Sequence, residues 1–226
     1  GGGGTGDTLA FNGGVTLAAA DDFTNKMSGV ESVTANGAQS TAISLTTHST
    51  FVSDTGISTI DLSADTDATG DNVINIGSQN TTTAMSLTGS AGKDTITLDA
   101  GSADTVNIAV TGATTSLGNT ADIITAFDDS ADFIDFGDMA AGTGANYAEA
   151  SADGGANDTL GVAAGLIAAN AAMNTTIVYY LYDNTNGGAD NGYLYFDQDA
   201  DGTADGAVIL TGIAALTDFS EANIIA

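Results

Sequence analysis

The chain of 226 residues carries 29 acidic side chains against two lysines, with one histidine, no cysteine and no proline, for a formal net charge of −27. So one-sided a charge disfavours nucleic acid and anionic membrane surfaces as partners, and without cysteine no disulfide staples the fold. No apolar run reaches the roughly 18 residues that a spanning helix requires, so no transmembrane segment is expected.

Lys26 and Lys93 cannot balance the acids, so the charge must be screened by salt or neutralised by bound cations. Only Glu31, Glu149 and Glu221 are glutamate. The preference for aspartate points to turns and metal loops, where a short carboxylate reaches backbone or ion. Adaptation to high salt is the rival explanation. The length suits one large domain or two modest ones.

In chain order, Gly1–Leu9 reads either as a shortened glycine-aspartate nonapeptide or as a flexible linker from a preceding domain. With no signal peptide visible, the chain looks like the C-terminal part of something longer. Ala19–Met27 has the makings of one helical turn. From Gly29 onward short strands are expected at Glu31–Ala35, Ala42–Leu45, Ser58–Leu62, Asn72–Ile76, Ala84–Leu87, Asp94–Leu98 and Thr105–Val110, separated by Gly, Asn, Asp, Ser and Thr. Two or three apolar residues per strand are too few for isolated hairpins but suit rungs stacked in a parallel coil. A β-sandwich gives similar short strands. The coil is favoured because Asp-x-apolar recurs at strand starts: Asp71 with Val73, Asp94 with Ile96, Asp104 with Val106, and Asp122 with Ile124. Asp104 and Asp122 stand two nonapeptides apart, which predicts that their carboxylates stack on one edge.

The turn from Gly89 through Gly92 to Asp94 fits the G-G-x-G-x-D-x-U-x calcium turn with Ser90 at the second glycine, and Asp99–Asp104 forms a second such bend. Glycine lets the bend aim carbonyls inward, and aspartate adds a hard oxygen ligand suited to Ca²⁺. An ordinary glycine-rich turn is the alternative. Farther on, strands Ile123–Phe127 and Phe133–Phe136 flank Asp128, Asp129 and Asp132, which repel one another unless a cation or water separates them; the alternative is a polar hairpin tip.

Met139–Thr159 reads as loop, and Leu160–Met173 as the helix of the chain, started near Asp158. Thr175–Tyr182 and Gly192–Phe196 read as paired strands rich in tyrosine, a half-buried face or a carbohydrate platform. Asp197–Asp205 matches the opening of a D-x-[DN]-x-[DN]-G calcium loop. Asp197, Asp199 and Asp201 would supply carboxylates, Thr203 a carbonyl and Asp205 a direct or water-mediated ligand. Val208 stands where the bidentate glutamate belongs, so a further ligand must come from elsewhere, such as Asp183 or Asp190. Strand Ala207–Leu210, the turn at Gly212, Ile213–Phe219 and an apolar tail expected to dock as a last strand close the chain.

The turn Gly89–Ile96, the block Ala121–Asp128, the loop Tyr195–Asp205 and the terminal Leu216–Phe219 together resemble the C-terminal region of repeats-in-toxin proteins. The Thr/Ala/Asn-rich rungs resemble, more narrowly, bacterial surface-layer proteins of that group. The resemblance implies secretion by a type I exporter, folding outside the cell on Ca²⁺ and self-association into a lattice or filament at the cell surface.

The fold expected is mainly β. An irregular parallel β-helix or β-roll over 1–118 precedes a small β-rich domain with one short helix over 119–226, ending in a secretion-signal-like segment. The metal set expected is Gly89, Gly92, Asp71, Asp94, Asp99, Asp104, Asp122, Asp128, Asp132 and the Asp197–Asp205 loop, with Ca²⁺ as cofactor. The function expected is a calcium-dependent structural subunit. The alternatives are an adhesin, a module binding carbohydrate such as a cell-surface polysaccharide, and the secretion module of a larger extracellular enzyme. His48 has no second histidine in a zinc-protease pattern, and no G-x-S-x-G elbow precedes a helix, so no catalytic role is expected.

Overall fold

The computed structural model describes residues 6–20, 27–67, 69, 71–79, 82–108, 117, 121–151, 161–184, 191–213 and 215–226. The expected start of a helix at Asp158, the acidic part of the Ala19–Met27 turn and Asp190 lie outside them. The protein is mainly β, with a seven-stranded all-parallel sheet, a nine-stranded mixed sheet and few helices. It forms two compact units, Gly1–Ala109 with Ser130–Ile134, and Val110–Asp129 with Asp135–Ala226.

In the first unit the chain changes sheet at every strand. Strands β1 (Thr8–Phe11), β3 (Ser32–Ala35), β5 (Thr59–Asp61), β7 (Ser86–Thr88) and β9 (Thr105–Asn107) pair in parallel in one sheet. Strands β2 (Thr16–Leu17), β4 (Ser44–Thr46), β6 (Val73–Asn75) and β8 (Thr95–Thr97) pair in parallel in the other. Parallel neighbours need a crossover, and here each crossover is itself a strand of the opposite sheet. This winding is consistent with a β-roll-like parallel architecture and departs from a hairpin-connected sandwich.

Most of these strands are three residues long with only the middle one buried. Register aligns the middle residues into columns. Leu9, Val33, Ile60, Leu87 and Val106 form one; Leu17, Leu45, Ile74 and Ile96 form the other. Val33, Leu45, Ile60, Ile74, Leu87 and Val106 are completely buried. A single apolar residue is worth little alone, but a stack of them in register forms a continuous core. The flanking serines, threonines and asparagines form ladders of their own, as in Thr8 Oγ1 to Ser32 Oγ at 2.8 Å and Asn107 Nδ2 to Ser86 Oγ at 2.9 Å. Between β4 and β5 a short helix, α1 (Phe51–Thr55), buries Phe51 and Val52 and ends on Gly56, whose φ of 87° is the left-handed cap that glycine adopts cheaply. Its five residues are too few to carry a helical period in the sequence.

The rungs differ in length. Ser86 pairs with Thr105, whereas Ser32 pairs with Thr59. Nonapeptide arithmetic therefore fails at Asp104. Strand β10 (Asp122–Thr125) lies in the nine-stranded sheet, and β11 (Phe133–Asp135) in the seven-stranded one with β9. The Phe133 N–H bonds Asp104 O at 2.8 Å, so the rung that follows Asp104 begins at Asp132 and not at Asp122. Because β10 and β11 belong to different sheets, the Asp128–Asp132 turn is a crossover and not a hairpin tip.

In the second unit β12 (Tyr147–Ser151) pairs in parallel with β13 (Tyr179–Asn184), with helix α2 (Gly161–Ala172) in the connection. Strand β13 pairs antiparallel with β14 (Asn191–Phe196), β14 antiparallel with β15 (Gly206–Thr211), and β15 parallel with β10. Strand β12 falls where a loop is expected, since the alternating Tyr-Ala-Glu-Ala-Ser offers one large apolar residue. Helix α2 and the β13–β14 pair form as the sequence predicts. The helix packs on Tyr180, Tyr182, Tyr193 and Tyr195 with Ala169 and Met173, and Gly165 allows the close approach because a Cβ there would meet the Tyr195 hydroxyl at 2.6 Å. On the opposite face Phe136 packs against Tyr179 and Phe196 at ring separations of 5.4 and 4.9 Å. The apolar tail ends in β16 (Ile224–Ile225), with Ile224 buried.

Candidate metal centre

The loop between β14 and β15 brings acids together. Asp197, Asp199 and Asp205 each offer a carboxylate oxygen, all within 4.8 Å of one another; they are the one such group among the described residues. The loop folds this way because its aspartate side chains accept from backbone N–H groups within the bend. Asp197 takes the Asp201 and Gly202 N–H groups at 3.3 and 2.8 Å, Asp199 takes that of Asp201 at 3.1 Å, and Asp205 takes that of Gln198 at 2.7 Å. Gly202 supplies the sharp bend at φ 91°. Asp201, expected as a ligand, lies outside the group and accepts from the Thr203 N–H at 2.8 Å. Thr203 lies at the exit of the bend.

Asp197 is completely buried, and that burial chiefly raises its carboxyl above the ordinary range. The loop N–H groups oppose the rise, and Asp205 and Asp201 add to it by repulsion. The loop leans on the end of α2: Ala204 N–H bonds Asn170 Oδ1 at 2.9 Å, and a Cβ on Gly202 would sit 3.5 Å from Met173 O. The negative end of the helix dipole adds to the field of the carboxylates, and a cation would relieve both. Hard oxygens from aspartate suit a hard cation better than a soft metal. Asp183 cannot complete the set. The Asp197 N–H bonds Val178 O, whereas Asp183 pairs with Gly192, five residues along an extended strand, or roughly 17 Å away.

Ala200, between two of the aspartates, holds φ at 56°. That conformation costs a non-glycine residue about 1–2 kcal/mol, and glycine would return about 0.4–1 kcal/mol as unfolded-chain entropy. Ala200→Gly is therefore expected to stabilise the metal-free protein by roughly 0.5–1 kcal/mol in urea denaturation with chelator present.

Of the other expected ligands, Asp94, Asp104 and Asp132 accept from backbone N–H groups, while Asp99 Oδ2 and Asp104 Oδ2 are buried and have no hydrogen-bond partner. Asp94 is buried under Gly89, whose missing Cβ leaves room for the carboxylate. It accepts from Ser90 N–H at 2.6 Å, from the Ser90 hydroxyl at 3.0 Å, and from the Asn72 N–H of the preceding rung. Gly92 closes the turn on Ser90 Oγ at 3.2 Å. Asp104 accepts from Met85 N–H at 2.9 Å and Asp132 from Asp104 N–H at 3.0 Å, each reaching back one rung. Asp99 binds the Ser102 hydroxyl at 2.5 Å, and Ser102 Oγ also lies 2.8 Å from Asp104. Asp71 is exposed. The register of Val73 with Thr95 puts Asn72, and not Asp71, opposite Asp94, and Asn72 Oδ1 accepts from Ile43 N–H at 2.6 Å. Asp122 opens β10 half-buried, opposite Val208, and Asp128 is half-buried in the crossover.

Strand geometry thus shows a ladder that motif reading did not find: a polar residue two before the buried centre of a strand caps a backbone N–H one rung earlier. The signal available was position relative to the core residue, which asparagine at 72 satisfies as well as aspartate. His48 sits in a local cap, its Nδ1 3.1 Å from Thr50 Oγ1, which donates to Asp54 at 2.6 Å.

Together the fold and the loop define a mainly β, strongly acidic protein with parallel sheets and, among the described residues, one aspartate triad able to hold a cation. No protein-family model matches the chain, and neither the curated proteins nor the solved structures give a match. No helix among the described residues is long and apolar enough to cross a membrane.

Proposed function

We propose that the chain is a calcium-dependent structural subunit of a bacterial surface layer or similar extracellular assembly, with a β-roll as its rung-bearing part and export by a type I system. The observation that carries this reading is the Asp197, Asp199 and Asp205 triad on a glycine-bent loop. A net charge of −27 supports it, because a chain so charged gains most from ions that neutralise it. At low Ca²⁺ the aspartates repel and the chain stays export-competent; outside, ion binding adds to folding free energy. The carbohydrate-platform reading loses its main support, since Tyr180, Tyr182, Tyr193 and Tyr195 are buried and pack with α2.

Imaging of the purified chain with Ca²⁺ and with chelator tests the proposal: ordered sheets or filaments are expected only with Ca²⁺. Calcium at about 100 times its Kd should stabilise the protein by about 2.7 kcal/mol. The double variant Asp199→Asn, Asp205→Asn should lose most of that gain in thermal melts. Equal assembly in chelator would overturn the reading.

A further inference from the structure

In the first unit, the bend from β8 to β9 holds two buried aspartates whose hydrogen bonds do not add up. Asp99 and Asp104 are 1 % and 0 % exposed. Each has one oxygen engaged and one bare. Asp99 Oδ1 accepts from the Gly101 and Ser102 N–H groups at 3.4 and 3.3 Å and meets the Ser102 hydroxyl at 2.5 Å. Asp104 Oδ1 accepts from Met85 N–H at 2.9 Å and lies 2.8 Å from the same hydroxyl. Asp99 Oδ2 and Asp104 Oδ2 are closed to solvent and have no hydrogen-bond partner. Asp94, one turn earlier, differs: the Ser90 N–H and hydroxyl reach its two oxygens, at 2.6 and 3.0 Å.

Ser102 has a single hydroxyl hydrogen, so it donates to one of the two Oδ1 atoms and not to both. The second short contact and both Oδ2 atoms call for positive charge from another source, because a bare buried carboxylate oxygen carries the full cost of its lost hydration. Burial chiefly, and the charge of Asp99, push the Asp104 carboxyl above its ordinary range against the Met85 and Ser102 donors. A shared proton would cap the two bare oxygens and leave one buried charge; a divalent cation removes both charges. Ca²⁺ suits the bend better than Mg²⁺, since it accepts irregular sets of carboxylate and carbonyl oxygens, whereas Mg²⁺ sheds water reluctantly and these oxygens are closed to solvent. We propose that Asp99 and Asp104 bind a Ca²⁺ ion of their own through their Oδ2 atoms. The ion fastens the bend between its neighbours: Asp104 Oδ1 holds the Met85 N–H one rung back, and Asp132 Oδ1 holds the Asp104 N–H at 3.0 Å one rung on. The site is independent of the loop at 197–205. With two carboxylates against three, it is the weaker of the two and fills only beyond the Ca²⁺ concentration that saturates the loop.

The test is a carboxyl ¹³C NMR titration of the full chain carrying Asp199→Asn and Asp205→Asn, which disable the loop. Saturable shifts are expected at Asp99 and Asp104 with Ca²⁺, and none with Mg²⁺ at the same concentration. The wild-type chain, titrated past saturation of the Asp197 resonance, gives the same reading with the loop intact. Adding Asp99→Asn puts an amide donor beside Asp104 in place of the ion. The Ca²⁺ shift at Asp104 should then disappear, while the melting temperature in chelator rises. Carboxyl shifts that follow pH and ignore Ca²⁺ would mean a shared proton, and would overturn the proposal. An equal response to Mg²⁺, or an Asp104 shift that survives Asp99→Asn, would overturn it as well. If Asp99 and Asp104 respond to Ca²⁺ while the wild-type chain assembles equally in chelator, the surface-layer reading alone falls. If assembly needs Ca²⁺ and these two carboxyls do not respond, this site alone falls.

Discussion

Replacing Ile74 by alanine is expected to lower the unfolding free energy by about 3 kcal/mol, within the 2–5 kcal/mol typical of a buried aliphatic truncation. Ile74 is completely buried in the column between Leu45 and Ile96. Both neighbours are held by strand pairing, so the rungs above and below cannot collapse into the hole, and the cavity term stays near its full size. Val73, one residue earlier, is half-buried and faces the other way. Val73→Ala should cost under about 1 kcal/mol, a difference set by the two-residue period of the strand. Urea denaturation of both variants checks the pair. Similar losses at the two positions would mean that the columns are not the core.

Lowering the pH is expected to stabilise the metal-free protein through Asp94. Its carboxyl is pushed up to about 6, first by burial, against the Ser90 and Asn72 donors, with a small repulsion from Asp65. The ordinary value for an aspartate carboxyl is 3.8. The folded state therefore takes up this proton at a higher pH than the unfolded chain. Above about 6 the ionised group costs stability; between about 6 and 3.8 the cost is relieved as protons bind; below that range the gain is complete. The full effect is about 3 kcal/mol, at about 1.4 kcal/mol per unit. A carboxyl ¹³C titration in chelator should give a midpoint near 6 for Asp94, and urea midpoints should rise from pH 7.5 to 4 relative to Asp94→Asn. In excess Ca²⁺ the same titration examines the turn as a ligand site: a bound ion would drive the midpoint below 4, and an unchanged midpoint would leave Asp94 a structural residue.

The two roles possible for such an aspartate, ligand or backbone acceptor, explain why the candidate site was only partly legible. Asp-x-apolar is the same string in both cases. At Asp197, Asp199 and Asp205 the acids alternate along one bend, and local chain geometry alone suffices to make them converge. At Asp94, Asp104 and Asp132 the outcome depends on which N–H the neighbouring rung presents. That rung lies 19 to 28 residues distant for Asp104.

The amino-acid sequence by itself determined the short strands, through single apolar residues set among threonines and serines, the tyrosine pair β13–β14, helix α2, and the acidic loop at 197–205. Each is a local pattern, and its physics acts over a few residues. Only the tertiary structure decided that Asp104 stacks on Asp132, that Asn72 takes the place expected of Asp71, that Asp183 stands far from the loop, and that the tyrosine face is packed against α2. The reason is register: rungs of unequal length let the loops absorb extra residues, and a shift of one residue turns a buried acceptor into an exposed side chain. No local pattern encodes that choice, because it is made by the burial of the whole column at once.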